Sequence, residues 1–211
     1  MKTSMILNVV LAIALVFLCY KVAVTGEKKG EKQDTSEVVL NNILKRTSIR
    51  SYQDQSVEEE KIEKLLRAGM AAPTAKNKQP WHFIVVTEKE LLQKLAEANP
   101  HAAMAAKAPL AIVVCGDMDK ALEGEAREFW VQDCSAATEN ILLAATGMEL
   151  GAVWTGTYPS KERCAAVAKV LGLPESLIPL NTIVIGYPDK EVTPKDKWKK
   201  ENISYNMYGE E

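Results

Sequence analysis

Arg46-Thr47-Ser48-Ile49-Arg50-Ser51-Tyr52 sets two guanidinium groups and three hydroxyls within six residues, Arg46 to Ser51. Arginine grips phosphate oxygens in a bidentate fork, so this spacing makes a phosphate cradle. Arg46 complementing the C-terminal end of a preceding helix fits the same spacing equally well. A second stretch, Ala72-Pro73-Thr74-Ala75-Lys76-Asn77-Lys78-Gln79-Pro80-Trp81, offers the hydroxyl and amide groups of Thr74, Asn77 and Gln79 but no acid or base. That set suits holding a large heteroaromatic molecule by its edge and does not suit proton transfer. A turn of self-bonding Asn and Thr side chains is the alternative. Gly156, opening Gly156-Thr157-Tyr158-Pro159, would let backbone approach a ligand closely. His82 reads as a strand residue and His101 as a helix-start residue, and neither is given a catalytic role.

Several chemistries are absent. No strand–Gly-x-Gly-x-x-Gly–helix unit, no phosphate-binding P-loop and no Gly-x-Ser-x-Gly elbow occurs. Two histidines and four cysteines are too few and too scattered for a zinc site. Cys19, Cys115, Cys134 and Cys164 have no C-x-x-C spacing and lie mostly in apolar runs, which predicts buried, unpaired thiols. A net charge of −2 gives no case for nucleic acid or an anionic membrane surface as partner.

The elements that must position these residues follow from apolar periodicity. With 211 residues and 47% hydrophobic content the chain can bury one sizeable core, or two lobes at most. Ser36 reads as an N-cap, with Val38, Val39, Ile43 and Leu44 forming one stripe up to Lys45. Ser56 with Glu59 forms a capping box for a second helix, buried through Ile62, Leu65, Leu66, Gly69 and Met70. Pro73 ends that helix. Trp81–Thr87 reads as a strand, Glu88–Ala98 as an amphipathic helix broken at Asn99-Pro100-His101, and Leu110–Cys115 as a central strand. Glu125–Gly147 is a helix of about six turns, its second half apolar all round. Ala152–Thr155 is a short strand, Lys161–Leu171 a helix closed by Gly172, and Asn181–Tyr187 a further strand. The lysine-rich tail carries Lys195 and Lys197.

The amino end differs in kind. No residue from Thr3 to Tyr20 is charged. As a helix, Met5 to Val24 would just cross the ~30 Å hydrocarbon layer. Residues 1–25 therefore read as a membrane anchor or a signal peptide, an uncleaved anchor being preferred. That predicts a membrane-anchored or exported chain, with the side of the membrane open. Residues 26–35 read as a charged tether and 36–211 as the folded domain.

The ordered set Arg46–Arg50, Ala72–Trp81, Ala108-Pro109 before an apolar strand, Asn140–Ala145, Trp154-Thr155-Gly156 and Pro194–Lys197 resembles the FMN-dependent nitroreductase family. The resemblance spans roughly Val38 to Tyr205 and its order and spacing are specific. It implies an α+β fold, a central, mostly antiparallel sheet flanked by helices, in an intertwined homodimer with FMN at the subunit interface. By the same resemblance Arg46, Thr47 and Ser48 contact the FMN phosphate and ribityl chain, and Lys195 and Lys197 close on the phosphate. Arg50 sits near the flavin N1 and C2 carbonyl, where a fixed cation stabilises reduced flavin. Pro73, Thr74, Ala75 and Asn77 reach the flavin from the neighbouring subunit, with Gln79 close by, and Asn99 is a candidate for the pyrimidine edge. The Gly156 N–H, beside Thr155, points at N5. The family often has arginine where this chain has Lys197, which keeps the charge and loses the fork.

The implied activity is ping-pong hydride transfer from NADH or NADPH through FMN to a nitroaromatic, quinone or flavin acceptor. The cofactor carries the chemistry and the protein supplies binding, orientation and charge. The alternatives are a specialised family activity such as reductive dehalogenation, or a membrane-anchored flavin-binding protein without turnover.

Overall fold

The computed structural model describes residues 11–17, 20–21 and 35–209. The chain divides into two units, Met1–Asn41 and Asn42–Glu211. In the first, residues 11–17 and 20–21 are helical and exposed. Among the described residues no helix is long and apolar enough to cross a membrane. The expectation of membrane anchoring or export is corrected on that finding. The rest of the 1–25 segment, and nearly all of the 26–35 tether, lie outside the described residues.

Helix α1, Thr35–Lys45, spans the boundary between the units and has no buried residue. The stripe read from the sequence, Val38, Val39, Ile43 and Leu44, is exposed. An amphipathic helix needs a second layer to cover its apolar face, and among the described residues none covers this one.

The second unit is built on a four-stranded, wholly antiparallel sheet in the order β1-β2-β4-β3, with β1 Trp81–Val86, β2 Leu110–Asp117, β3 Gly151–Gly156 and β4 Leu177–Gly186. Side chains alternate across a strand, and β2 shows what that does here. Leu110, Ile112 and Val114 join Ile141, Ala145 and Trp130 in the core on one face. Ala111, Val113 and Cys115 join Leu92, Leu95 and Val167 on the other. Helices therefore cover both faces. Helix α4, Phe129–Gly147, lies on the first with α2, Glu59–Met70, packed against it. Helices α3, Lys89–Ala98, and α5, Lys161–Leu171, lie on the second. The all-round apolar half of α4 is thus explained by the core of one chain.

Several predicted boundaries move. Helix α2 starts at Glu59 with no side-chain cap, because Val57 is drawn into the core and the Glu58 carboxylate accepts from Tyr187 at 2.7 Å. Residues Gly124–Glu128 form a 3₁₀ turn ahead of α4, so that helix begins four residues later than expected. Strand β4 starts at Leu177 rather than Asn181, since β2 supplies a partner along its whole length. Helix α5 is as read: Ser160 accepts from the Arg163 N–H at 3.3 Å, and Gly172 closes the helix in the left-handed region at φ 64°.

Candidate functional site

The cationic stretch is laid along the outer edge of β3. Ser48 bridges Ala152 in parallel fashion, and the Ile49 N–H donates to the Ala152 carbonyl at 3.1 Å. Gly151 permits this approach, for a Cβ there would fall 2.6 Å from Ile49 Cγ2. Tyr52 fastens the end of the stretch. Its hydroxyl lies 2.6 Å from the Ile49 carbonyl and 2.9 Å from that of Val184. Burial pushes this phenol well above its ordinary pKa, so it remains a donor. Arg46 faces Glu139 at 3.9 Å, with Glu139 half exposed. So long a pair to an exposed carboxylate is weak, which leaves the guanidinium able to take a better anion. Thr47 and Ile49, but not Arg46, Ser48 or Arg50, line a cleft of about 750 Å³ together with Thr193 and Pro194, and Lys195 and Lys197 are not part of its lining. Lys195 and Lys197 are themselves exposed.

Gly156 lies at the other end of β3, opposite Asn181. Thr157 N–H donates to the Leu180 carbonyl, and the Ala152 carbonyl faces outward to Ile49. Antiparallel pairing alternates, so Gly156, four pairs along from Ala152 and of the same parity, also turns its backbone groups to the open edge. Its carbonyl accepts from Asn99 at 3.1 Å, and its N–H is left facing that edge. Asn99 is 0% exposed, and its side-chain oxygen accepts from the His101 N–H at 3.1 Å. Thr155 is buried and its hydroxyl donates to the Thr182 carbonyl at 2.7 Å.

Gly156 is also distinctive among the glycines of the described residues. At Gly69, Gly116, Gly147, Gly151 and Gly186 a side chain would press on a neighbour, and Gly124, Gly172 and Gly209 have positive φ. At Gly156 neither holds: a Cβ there would meet nothing within 4 Å. The space beside it is open, so the chain's own packing does not require glycine.

The amide-rich stretch folds into a 3₁₀ turn, Ala75–Asn77, entering β1. Lys76, Asn77 and Gln79 all take left-handed backbone angles, with φ 50°, 54° and 50°. For residues other than glycine this costs on the order of 1 kcal/mol each, so surrounding bonds must hold the turn. Thr74 Oγ1 accepts from the Gln79 N–H at 3.1 Å, and Gln79 Nε2 donates to Asn77 Oδ1 at 3.0 Å. Asp133 of α4 accepts from the Ala75 N–H at 2.9 Å. Pro73, Thr74 and Ala75 thus stand at the mouth of a turn whose amides are bonded to one another.

The expected residues do not all meet within one chain. The turn feeds β1 at one sheet edge, whereas residues 46–50 lie outside β3 at the other. Four steps of about 4.8 Å separate them, on the order of 19 Å.

The sequence model of the nitroreductase family matches residues 43–101 and 98–187. A Methanothermobacter thermautotrophicus protein, provisionally named NADH dehydrogenase/NAD(P)H nitroreductase, is 45% identical over 87% of this chain and 92% of its own length. The chain belongs to the nitroreductase family. A solved Parabacteroides distasonis structure carrying the same provisional name is 48% identical with a TM-score of 0.77, covering 81% of this chain and 99% of that one. An FMN-dependent nitroreductase from Clostridium difficile is 30% identical with a TM-score of 0.74, covering 80% of this chain and 99% of its own. Residues 1–42 lie outside the family match.

Two features of this nitroreductase-family site escape sequence reading. Asp133 left one trace, an acid on the otherwise apolar side of α4 beside Cys134 and Ala137. Such a residue points to a buried donor, though not to which one. The local Asx turn of Asn99 onto His101 is legible in Asn-Pro-His. Its bond to Gly156, 57 residues away, is not. Cys115 and Cys134 are buried and free, and burial raises the Cys115 thiol to about 12, so neither is a ready nucleophile. Cys19 lies outside the described residues.

Proposed function

We propose that this chain, an NAD(P)H oxidoreductase with FMN as its cofactor, reduces nitroaromatic, quinone or flavin acceptors at a site completed by a second copy of itself. The observation that carries the reading is Gly156, a glycine whose open flank and outward N–H serve no need of its own chain. Bound FMN supplies the chemistry, a ring atom, N5, that accepts hydride and passes it on.

The chain's residues fit that group. Arg46, Thr47 and Ser48 hold the phosphate and ribityl chain, and Lys195 and Lys197 add charge to the same phosphate. A phosphate dianion buried in a cleft needs such cations. Arg50, exposed on the same strip, places a positive charge by the pyrimidine end of the ring. Gly156 offers an N–H to N5, Thr155 seats that strand end through Thr182, and Asn99 holds the Gly156 carbonyl away from the ring. Pro73, Thr74, Ala75, Asn77 and Gln79 form the opposite wall.

A partner copy supplies that wall. Within one chain the turn and the cationic strip occupy opposite sheet edges. Much of the apolar surface is also uncovered. Trp198 is 74% exposed and Tyr205 76%, and the α1 residues Val38, Val39, Ile43 and Leu44 are exposed as well. Such area marks an interface, and the exposed segment 189–209, which carries Trp198 and Tyr205, suits wrapping a second subunit.

The test uses the purified full-length protein with added FMN. Flavin absorbance should appear with the protein and bleach on adding NADH or NADPH. Steady-state turnover against a panel of acceptors should give parallel double-reciprocal lines, and the mass in solution should be that of a dimer. A protein that stays colourless with FMN, or one that binds FMN and is never bleached, contradicts the reading.

A further inference from the structure

We infer that Asp133 is a positioning residue for the cofactor site, the group that sets the 73–79 turn in its working shape. The inference rests on the assignment of that turn to the flavin. Three residues of the turn hold left-handed angles although none is glycine, and Lys76 and Gln79 lack even the local preference of asparagine. Such a conformation persists only where surrounding structure over-determines it. Thr74, at the N-cap position, makes no cap with its side chain. Its hydroxyl is turned to Gln79 at the far end of the turn instead.

The first N–H of the turn, that of Ala75, is taken by Asp133 Oδ1 at 2.9 Å. Asp133 is 6% exposed and stands on α4, which is packed into the core through Trp130, Cys134 and Ala137. The acceptor therefore comes from a rigid element 58 residues away, and a carboxylate oxygen makes the strong kind of hydrogen bond. The Gln79–Asn77 and Thr74–Gln79 bonds close the turn on itself. Among the described residues, Asp133 makes the one side-chain hydrogen bond that ties residues 73–79 to the rest of the molecule. Losing it frees the turn to relax toward ordinary angles and carries Asn77 away from its place in the wall.

The experiment compares full-length wild type, Asp133→Asn, which keeps an acceptor oxygen, and Asp133→Leu, which has similar volume and none. FMN-stripped protein is exposed to trypsin, and cleavage after Lys76 and Lys78 is followed by mass spectrometry. FMN affinity is then measured by fluorescence titration. Asp133→Leu should be cut about tenfold faster at those two sites and bind FMN about tenfold more weakly, as expected for losing a hydrogen bond to a charged acceptor. Asp133→Asn should stay within about threefold of wild type in both, a rescue that mere loss of core packing would not produce. Asp133→Ala replaces the leucine variant if that one fails to fold. Unchanged cleavage in Asp133→Leu, or an asparagine variant as impaired as the leucine one, overturns the role. Faster cleavage with unaltered FMN affinity overturns the turn's place in the cofactor site and the role of Asp133 with it. Wild type that binds no FMN sinks the functional reading itself.

Discussion

Asn99 Nδ2 donates to the Gly156 carbonyl at 3.1 Å, joining the end of α3 to the end of β3 through a side chain with no exposed surface. Two backbone groups depend on this one amide, because its oxygen also accepts the His101 N–H. Asn99→Ala removes the partner of both; His101 is exposed and Gly156 half-buried, so water replaces part of the loss and the cost should be about 1 kcal/mol. Urea denaturation should show a loss of that order. Stopped-flow reduction of bound FMN by NADH or NADPH should slow about tenfold as the Gly156 peptide loses its fixed orientation. A variant of full stability and full reduction rate would remove the importance assigned to this contact.

Gly156 and Gly116 should respond oppositely to added side chains. A Cβ at Gly116 would fall 2.2 Å from Trp130 Cε3, within the core, so Gly116→Ala should cost about 1–3 kcal/mol through overpacking. At Gly156 an added Cβ meets nothing within 4 Å, and Gly156→Val places a good strand former in a strand. Thermal melts of FMN-free protein should shift by only about 2 °C. FMN binding, in contrast, should weaken by at least about tenfold because the side chain fills the flank reserved for the ring. Valine that leaves affinity intact would mean the open flank faces no ligand.

Arg46→Ala should loosen FMN by about tenfold to a hundredfold, the range expected for a charge-assisted contact. Lys197→Arg should tighten it several-fold by restoring a bidentate fork. Both are read by flavin fluorescence titration at low and high salt, since exposed cations lose their pull as salt is added. Removing Glu139, which faces Arg46 at 3.9 Å, should not weaken FMN. An Arg46→Ala protein with wild-type affinity would place the phosphate elsewhere.

The Tyr187–Glu58 contact should give stability a mild acid limb. The Tyr187 hydroxyl, donating to Glu58 at 2.7 Å, is the main cause holding that carboxyl below its ordinary pKa. A carboxyl depressed in the folded state adds stability above its unfolded pKa, and that contribution fades as pH falls through the folded value. Tyr187→Phe should therefore be less stable than wild type near pH 7, with the gap narrowing toward pH 3. Denaturant melts across that range give the comparison. Because the Glu58 side chain is about half exposed, the whole effect should be small and reduced by salt. A gap independent of pH would assign the difference to packing alone.

Much of this protein was legible before any coordinates. The end of helix α5 follows from Gly172, a local signal whose geometry needs no distant partner, while the Ser160 cap at its start was supplied by the structure. Strand β2 follows from an unbroken apolar run, since only a strand covered on both faces can carry one. The chemistry-bearing residue types at 46–50, 72–81 and 156 were equally plain, for they are short, contiguous and polar. The capping box at Ser56 was misread because the competing bond to Tyr187 comes from 129 residues away. The membrane anchor was inferred from composition alone, and among the described residues no helix is long and apolar enough to cross a membrane.

What the tertiary structure alone decided is direction. The sequence holds no information on which sheet edge Arg46 takes, yet the order β1-β2-β4-β3 puts it across the sheet from Asn77. It does not tell that Gly156 falls on an outward-facing pair rather than an inward one, because pairing parity depends on register with β4. Nor does it tell that Asp133 reaches Ala75 or that Asn99 reaches Gly156. Residue type and local spacing are set by the chain itself. Contacts between distant residues are set by how layers pack, and the site is made of those contacts.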